Sequence, residues 1–378
     1  MRFLKTSFVS FFNNHLINYP TPFNLNFLFS FGSLAGLFLV SQILTGFLLC
    51  MHYSPEINLA WLSIEHILRD VSFGWVLRYF HSNGAGFFFI IIYLHIGKGL
   101  FFKSYRKKLL WATGILIFVL MMATAFIGYV LPWGTMSFWG CMVITNLFSA
   151  LPFVGKKIVL WLWGGFSINN ATLNRFFSFH YILPFLIVAI VILHLSLLHL
   201  KGSTNPIGAN CSIYKIDFYP FFLHKDVFSF FGIVLIFSFF VFFAPNFLGH
   251  SDNYIKANPL ITPLHIVPEF YFLPFYAILR AIPSKLGGVF FMFFAIVCLF
   301  LVAFFDIFSF TPTGRFKVLF KFGYWFFVFL VLFLGVLGQK NVEFPYIFLS
   351  QISTLLYFSY FLIFLPFINF LDLYLVWK

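Results

Sequence analysis

The chain has 378 residues, 62% of them hydrophobic and 9% charged, with a mean hydropathy of +0.98; this excludes an ordinary soluble domain. Its net charge of +13 does not indicate a nucleic-acid partner, because most of the aromatic residues lie in apolar stretches rather than among exposed basic ones. The expected fold is an all-α polytopic membrane protein, whose 65 phenylalanines suit lipid-facing positions and carry no functional reading.

Met1 to Ser10 carries two positive charges but no cleavable small-residue site, so no signal peptide is expected. Asn13 to Asn26 is polar and interrupted by Pro20 and Pro22, which reads as a segment lying along the membrane surface. A spanning helix needs ~20 mostly apolar residues, and eight stretches qualify: 31–52, 75–102, 110–132, 173–200, 226–245, 286–306, 319–338 and 345–366. An even number puts both termini on one side. That side carries fourteen of the 23 Lys and Arg residues, from Arg2 and Lys5 to Lys378, which places the N-terminus on the negative side of the membrane.

The first span contains Gly32 and Gly46, and the third contains Gly114 and Gly128, each pair fourteen residues apart. The second span contains His81 and His95, and the fourth His180 and His194, again fourteen apart. Fourteen steps of a helix advance ~21 Å and fall ~40° short of four full turns, so each pair shares one face at two depths. The second and fourth spans are parallel, which sets His81 opposite His180 and His95 opposite His194. Two opposed imidazoles fill both axial positions of one haem iron, giving two closed sites suited to electron transfer rather than ligand binding. A single histidine on an apolar helix is commonly a hydrogen-bonded interior residue; two matched pairs inside a membrane point to function. The glycines remove side chains at the same spacing and let flat macrocycles press against the neighbouring helices, although each alone also suits small-residue helix packing. Arg78 and Lys98 each stand three residues from a proposed ligand, where a cation would pair with a haem propionate or snorkel to the interface. Cys50, Cys141, Cys211 and Cys298 form no C-x-x-C-H motif, so the haem is expected to be noncovalent.

After the third span, Pro132 to Gly140 breaks the helix, and segments such as Phe138 to Leu151 read as interfacial helices on the side opposite the N-terminus. The connection from Pro245 to Lys285 lies on that side too. It holds Glu269 between Pro268 and Phe270-Tyr271, with Pro274 beyond. An acid in apolar surroundings has a raised pKa and suits accepting a proton from a hydroquinone; a surface loop acid is the plain alternative. On the N-terminal side, His199, Lys201, Ser203, Lys225 and Asp226 converge near His95 and His194, as a quinone pocket or as a solvated loop. The last three spans hold few polar residues, Asp306 excepted, and read as scaffold.

Together these motifs resemble the cytochrome b family in its mitochondrial form, the haem-bearing subunits of ubiquinol:cytochrome c oxidoreductase. Beyond the histidines, Met51-His-Tyr53, Arg78-Tyr-Phe-His-Ser-Asn-Gly84, Leu131-Pro-Trp-Gly134, Ser137-Phe-Trp-Gly140, Asp252-Asn-Tyr254 and Ala277-Ile-Leu-Arg-Ala-Ile-Pro-Ser-Lys-Leu-Gly-Gly288 look like family signatures. The resemblance implies an N-terminal dihaem four-helix bundle over residues 1–210 and a C-terminal four-helix region with the Glu269 loop over 211–378. It implies two noncovalent haems b, the low-potential one on His81 and His180 and the high-potential one on His95 and His194. Ser33 and Trp111 join Arg78, Lys98 and the four glycines as haem-binding residues. Gly140, Glu269 and Tyr271 fall in the quinol-oxidising pocket, and His199, Ser203, Lys225 and Asp226 in the quinone-reducing one. The implied chemistry is bifurcation: one quinol electron passes to a Rieske-type iron-sulfur protein, the other across the haem pair to a second ubiquinone, with protons released on one side and taken up on the other. The implied setting is the mitochondrial inner membrane, N-terminus in the matrix, in a homodimeric complex with cytochrome c1 and further complex III subunits. Two positions depart from the family: Phe270 where Trp is usual, and Lys98 where Arg is usual, a point charge replacing a planar fork. A dihaem membrane anchor of a dehydrogenase would share the histidines but lack the Glu269 loop, and a secondary transporter has no use for haem-spaced histidines.

Overall fold

The computed structural model describes Ser10 and residues 13–208, 214–305 and 313–376, with side chains to Leu371 except Phe305. The leader reading over Met1 to Ser10, apart from Ser10, together with Cys211, Asp306 and Lys378, lies outside the described residues.

Thirteen α-helices run through the described chain: α1 Phe31–Cys50, α2 Ala60–Arg69, α3 Gly74–Phe101, α4 Lys108–Val130, α5 Thr135–Leu147, α6 Gly155–Trp163, α7 Asn170–Lys201, α8 Phe221–Phe242, α9 Leu273–Ala281, α10 Lys285–Phe305, α11 Val318–Gln339, α12 Tyr346–Ser359 and α13 Leu365–Val376. Eight helical stretches among them are long and apolar enough to cross a membrane, the first extended by a 3-10 turn from Phe27 and the last running Tyr346–Leu371 through α12 and α13. All eight coincide with the expected spans to within a few residues. The segments after the third span that were expected to lie at the interface form α5 and α6, both too short to cross.

Local chemistry sets the helix ends that matter for the site. The Asn169 side-chain oxygen accepts a hydrogen bond from the Ala171 N–H, and the Asn169 N–H donates to the Thr172 hydroxyl oxygen, so α7 starts from a reciprocal cap. Pro274 lies in the first turn of α9, where a missing N–H costs nothing. At its far end α7 stops at Gly202, whose φ of +69° suits a residue without a Cβ.

α1 packs along α3 and α4 along α7, so the first four spans form two glycine-and-histidine pairs. α8 lies against α3 and α1, while α9 is held among α10, α11 and α12. One buried apolar cluster runs from Leu34 in α1 to Ile368 in α13, and a second, around Val130, Trp133 and Leu173, sits below the α4–α5 turn.

The short helices α2 and α9 and a two-stranded ribbon were not foreseen. α2 is a ten-residue helix in the first loop, below the length at which apolar periodicity identifies a span. The surface segment before α1 contains strand β1, Pro20–Pro22, which pairs antiparallel with β2, Lys215–Asp217, Pro20 opposite Asp217. Its prolines argued against a strand, but a two-stranded ribbon is all edge, where a missing N–H is tolerated.

Candidate haem and quinone sites

Each histidine sits where a glycine of the neighbouring helix makes room for it. A Cβ built on Gly32 would lie 3.4 Å from His95 Cε1, one on Gly46 2.9 Å from His81 Cε1, and one on Gly114 3.2 Å from His194 Cε1; at Gly128 it would overlap the His180 ring. α1 therefore backs the histidines of α3, and α4 those of α7. The shared fourteen-residue spacing is a contact pattern: an imidazole of the neighbouring helix is the nearest group to each glycine.

Across the bundle His81 faces His180 with ring centroids 6.1 Å apart, and His95 faces His194 at 6.5 Å. A metal–imidazole nitrogen bond of ~2 Å plus about 1 Å to each ring centre gives roughly 6 Å across one ion, so both gaps fit two axial ligands on one haem iron.

Hydrogen bonds fix the tautomers. The Thr45 hydroxyl donates to the Ser41 carbonyl at 2.7 Å and lies 3.0 Å from His81 Nδ1. The Thr113 hydroxyl donates to the Leu110 carbonyl at 2.9 Å and lies 2.9 Å from His194 Nδ1. With its own hydrogen committed, each threonine oxygen accepts from the imidazole Nδ1–H. His180 Nδ1 is 2.8 Å from the Thr124 carbonyl, which also only accepts. Three of the four rings thus carry Nδ1–H and present the Nε2 lone pair, the form that ligates a metal. Among the described residues, His95 Nδ1 is buried without a hydrogen-bond partner.

A cavity of about 200 Å³ is lined by His81 and His180 together with Arg78, Tyr129, Glu269, Phe270 and Tyr271; a second, of about 120 Å³, borders the same pair and is lined by Gly46, Gly128 and Tyr53. Glu269 is half-buried there rather than out on the surface. Burial pushes its pKa up to about 7, against the opposing pull of a Tyr129 hydrogen bond and the Arg78 charge. Tyr271 is buried, its ring stacked on Phe89 at 4.1 Å and its carbonyl accepting from the Tyr93 hydroxyl at 2.5 Å. Phe270 packs over Gly86. Gly140 lines a smaller pocket shared with Tyr129, Glu269 and Tyr276, and the space beside its Cα is open. Tyr129, with no motif to mark it, is the residue that sequence reasoning missed in this pocket.

The N-terminal face is assembled from four segments. Asp226, in the first turns of α8, has the Ser30 and Ser33 hydroxyls within hydrogen-bonding reach, and Ser33 adjoins Gly32, the residue that backs His95. Lys225 donates to the Leu25 carbonyl at 2.7 Å. Lys98 Nζ lies 3.9 Å over the Phe29 ring, on the same face. His199 ends α7 against Tyr19 and His15, and Ser203 follows just past the helix, half-buried. The Trp111 ring packs on Gly99 and its N–H donates to the Leu299 carbonyl at 2.7 Å, tying α4 to α10.

Two family models match, Cytochrome b/b6/petB over residues 16–202 and Cytochrome b(C-terminal)/b6/petD over 256–358. The chain is 56% identical to a cytochrome b of Phytophthora megasperma over all of this chain and 98% of that protein, and 52% identical to one of Chondrus crispus over 100% and 99%. A cytochrome b of Rickettsia prowazekii is 55% identical over 95% of this chain and 91% of its own length. Among solved structures, a chain of a hyperthermophilic respiratory complex III superposes with a TM-score of 0.91 at 32% identity, covering 98% of this chain and 99% of that one. The chain belongs to the cytochrome b family.

Proposed function

We propose that the chain is the quinol-oxidising and quinone-reducing subunit of a respiratory complex III, holding two noncovalent haems b on His81 with His180 and His95 with His194. The observation that carries this reading is the continuous cavity joining the His81–His180 gap to Glu269, Tyr129 and Arg78. When bound, the haems supply one-electron carriers between a pocket on each membrane face.

The protein's own groups do the rest. Glu269 accepts the proton that a bound quinol hydroxyl gives up. Its raised pKa keeps it close to the operating pH, where a general base is most effective, and the Tyr129 hydroxyl stabilises the ionised form before it does so. Tyr271, Phe270 and Phe89 keep water scarce around it. On the other face, Asp226 and His199 hold and deliver protons to a quinone near the His95–His194 pair. Arg78 and Lys98 supply positive charge for propionates. The proposed partners are a Rieske-type iron-sulfur protein and cytochrome c1, in a homodimer with further subunits. The proposed setting is the mitochondrial inner membrane, N-terminus in the matrix, supported by the distribution of Lys and Arg and by the identities with the Phytophthora and Chondrus chains.

Glu269→Gln keeps the side-chain shape and removes the base. In the assembled complex it should lower quinol:cytochrome c turnover by roughly 10²- to 10⁴-fold, with normal haem spectra and little change in quinol affinity. Turnover within about twofold of the parent would leave Glu269 a structural acid.

A further inference from the structure

At the N-terminal face, His15 meets His199 edge to edge, with ring centroids 5.3 Å apart and planes 16° from parallel, and the two Nδ1 atoms are 3.2 Å apart. Two imidazole nitrogens at that separation share one hydrogen: one ring donates from Nδ1–H and the other accepts at Nδ1. A neutral ring accepting at Nδ1 must carry its own hydrogen on Nε2. The Tyr19 ring packs on the same imidazole at 4.3 Å, and the Tyr19 hydroxyl lies 3.5 Å from the Leu198 carbonyl, so His199 is held by rings rather than left to rotate. His15 is exposed, whereas His199 is half-buried.

We propose that His15 is a positioning residue and proton-relay partner for His199, a deepening that rests on the quinone-reducing reading of this face. His15 Nδ1–H donates to His199 Nδ1, which fixes His199 with Nε2–H free to donate to a quinone carbonyl oxygen. As the quinone takes up its two electrons, the His199 Nε2–H bond breaks and that proton forms an O–H bond on the quinone. The His15 Nδ1 proton moves to His199 Nδ1, and His15 takes a proton from water at Nε2. One proton crosses from water to quinone, both rings end neutral, and exchange with water resets them. The second proton reaches the other oxygen by a separate route, for which Asp226 is the candidate.

The test uses the complete complex carrying His15→Phe, which keeps an aromatic ring of similar shape and removes the relay, beside His199→Ala. With the haems reduced beforehand, the rate of reoxidation by added ubiquinone is followed in H₂O and D₂O, with and without imidazole in the buffer. His15→Phe should slow reoxidation about tenfold, less than loss of a positioned acid because water partly substitutes; it should raise the solvent isotope effect and be rescued by imidazole. Reoxidation at the parental rate, or a slowed rate with unchanged isotope effect and no rescue, overturns the relay. If His199→Ala also reoxidises normally, the pocket reading fails; if it is slow while His15→Phe is normal, the relay alone fails.

Discussion

The imidazole of His180 fills the space that Gly128 leaves empty: a Cβ on Gly128 would overlap it, the tightest of the four glycine–histidine contacts. Gly32 stands at the other extreme, 3.4 Å from His95 Cε1, an ordinary contact. A Gly128→Val variant should therefore displace His180 and lose the haem of the His81–His180 pair, while that of the His95–His194 pair stays. Gly32→Ala should keep both. Haem content and reduced-minus-oxidised spectra of the purified variants check the contrast, and equal losses in both would sink the contact account.

The pH dependence of quinol oxidation follows from Glu269. Its pKa is raised to about 7 by burial, so the base form, and the rate, should grow as pH rises through about 7. The Tyr129 hydrogen bond opposes the rise; Tyr129→Phe removes it, and the activity limb should move to higher pH. The same shift bears on stability. The folded carboxyl keeps its proton to a higher pH than the unfolded one, so between its ordinary value and about 7 stability contributed by Glu269 falls as pH rises. Pre-steady-state quinol oxidation from pH 5.5 to 8.5 reads the limb, and a Tyr129→Phe limb that moves to lower pH would contradict the assignment.

Thr113 accepts the His194 Nδ1–H because its own hydrogen is held by the Leu110 carbonyl. That hydrogen bond raises the electron-donating power of the imidazole and favours oxidised iron. Thr113→Val should raise the midpoint potential of the His95–His194 haem and leave the other component in place. A lowered potential, or a shift confined to the other haem, would contradict the tautomer assignment.

What the sequence made legible was whatever repeats along a single helix. The fourteen-residue spacings of His81/His95, His180/His194 and the two glycine pairs survive in the structure because helical periodicity converts sequence distance directly into face and depth. Glu269 was legible from its apolar, proline-bounded surroundings. Contacts between distant segments were not. Tyr129 meets Glu269 across 140 positions and His15 meets His199 across 184, and neither residue type announces a partner. The role of Thr45 and Thr113 depends on where a hydroxyl hydrogen is already spent, which spacing does not encode.

The central claim is that two imidazole pairs hold two electronically distinct haems b in one chain. A potentiometric titration of the purified complex, followed in the α-band and referred to protein concentration, tests it most directly. Two b-type components in equal amounts, one lost selectively in a His95→Asn variant, are the expected result. A single component per chain, or both surviving unchanged in His95→Asn, would contradict the account.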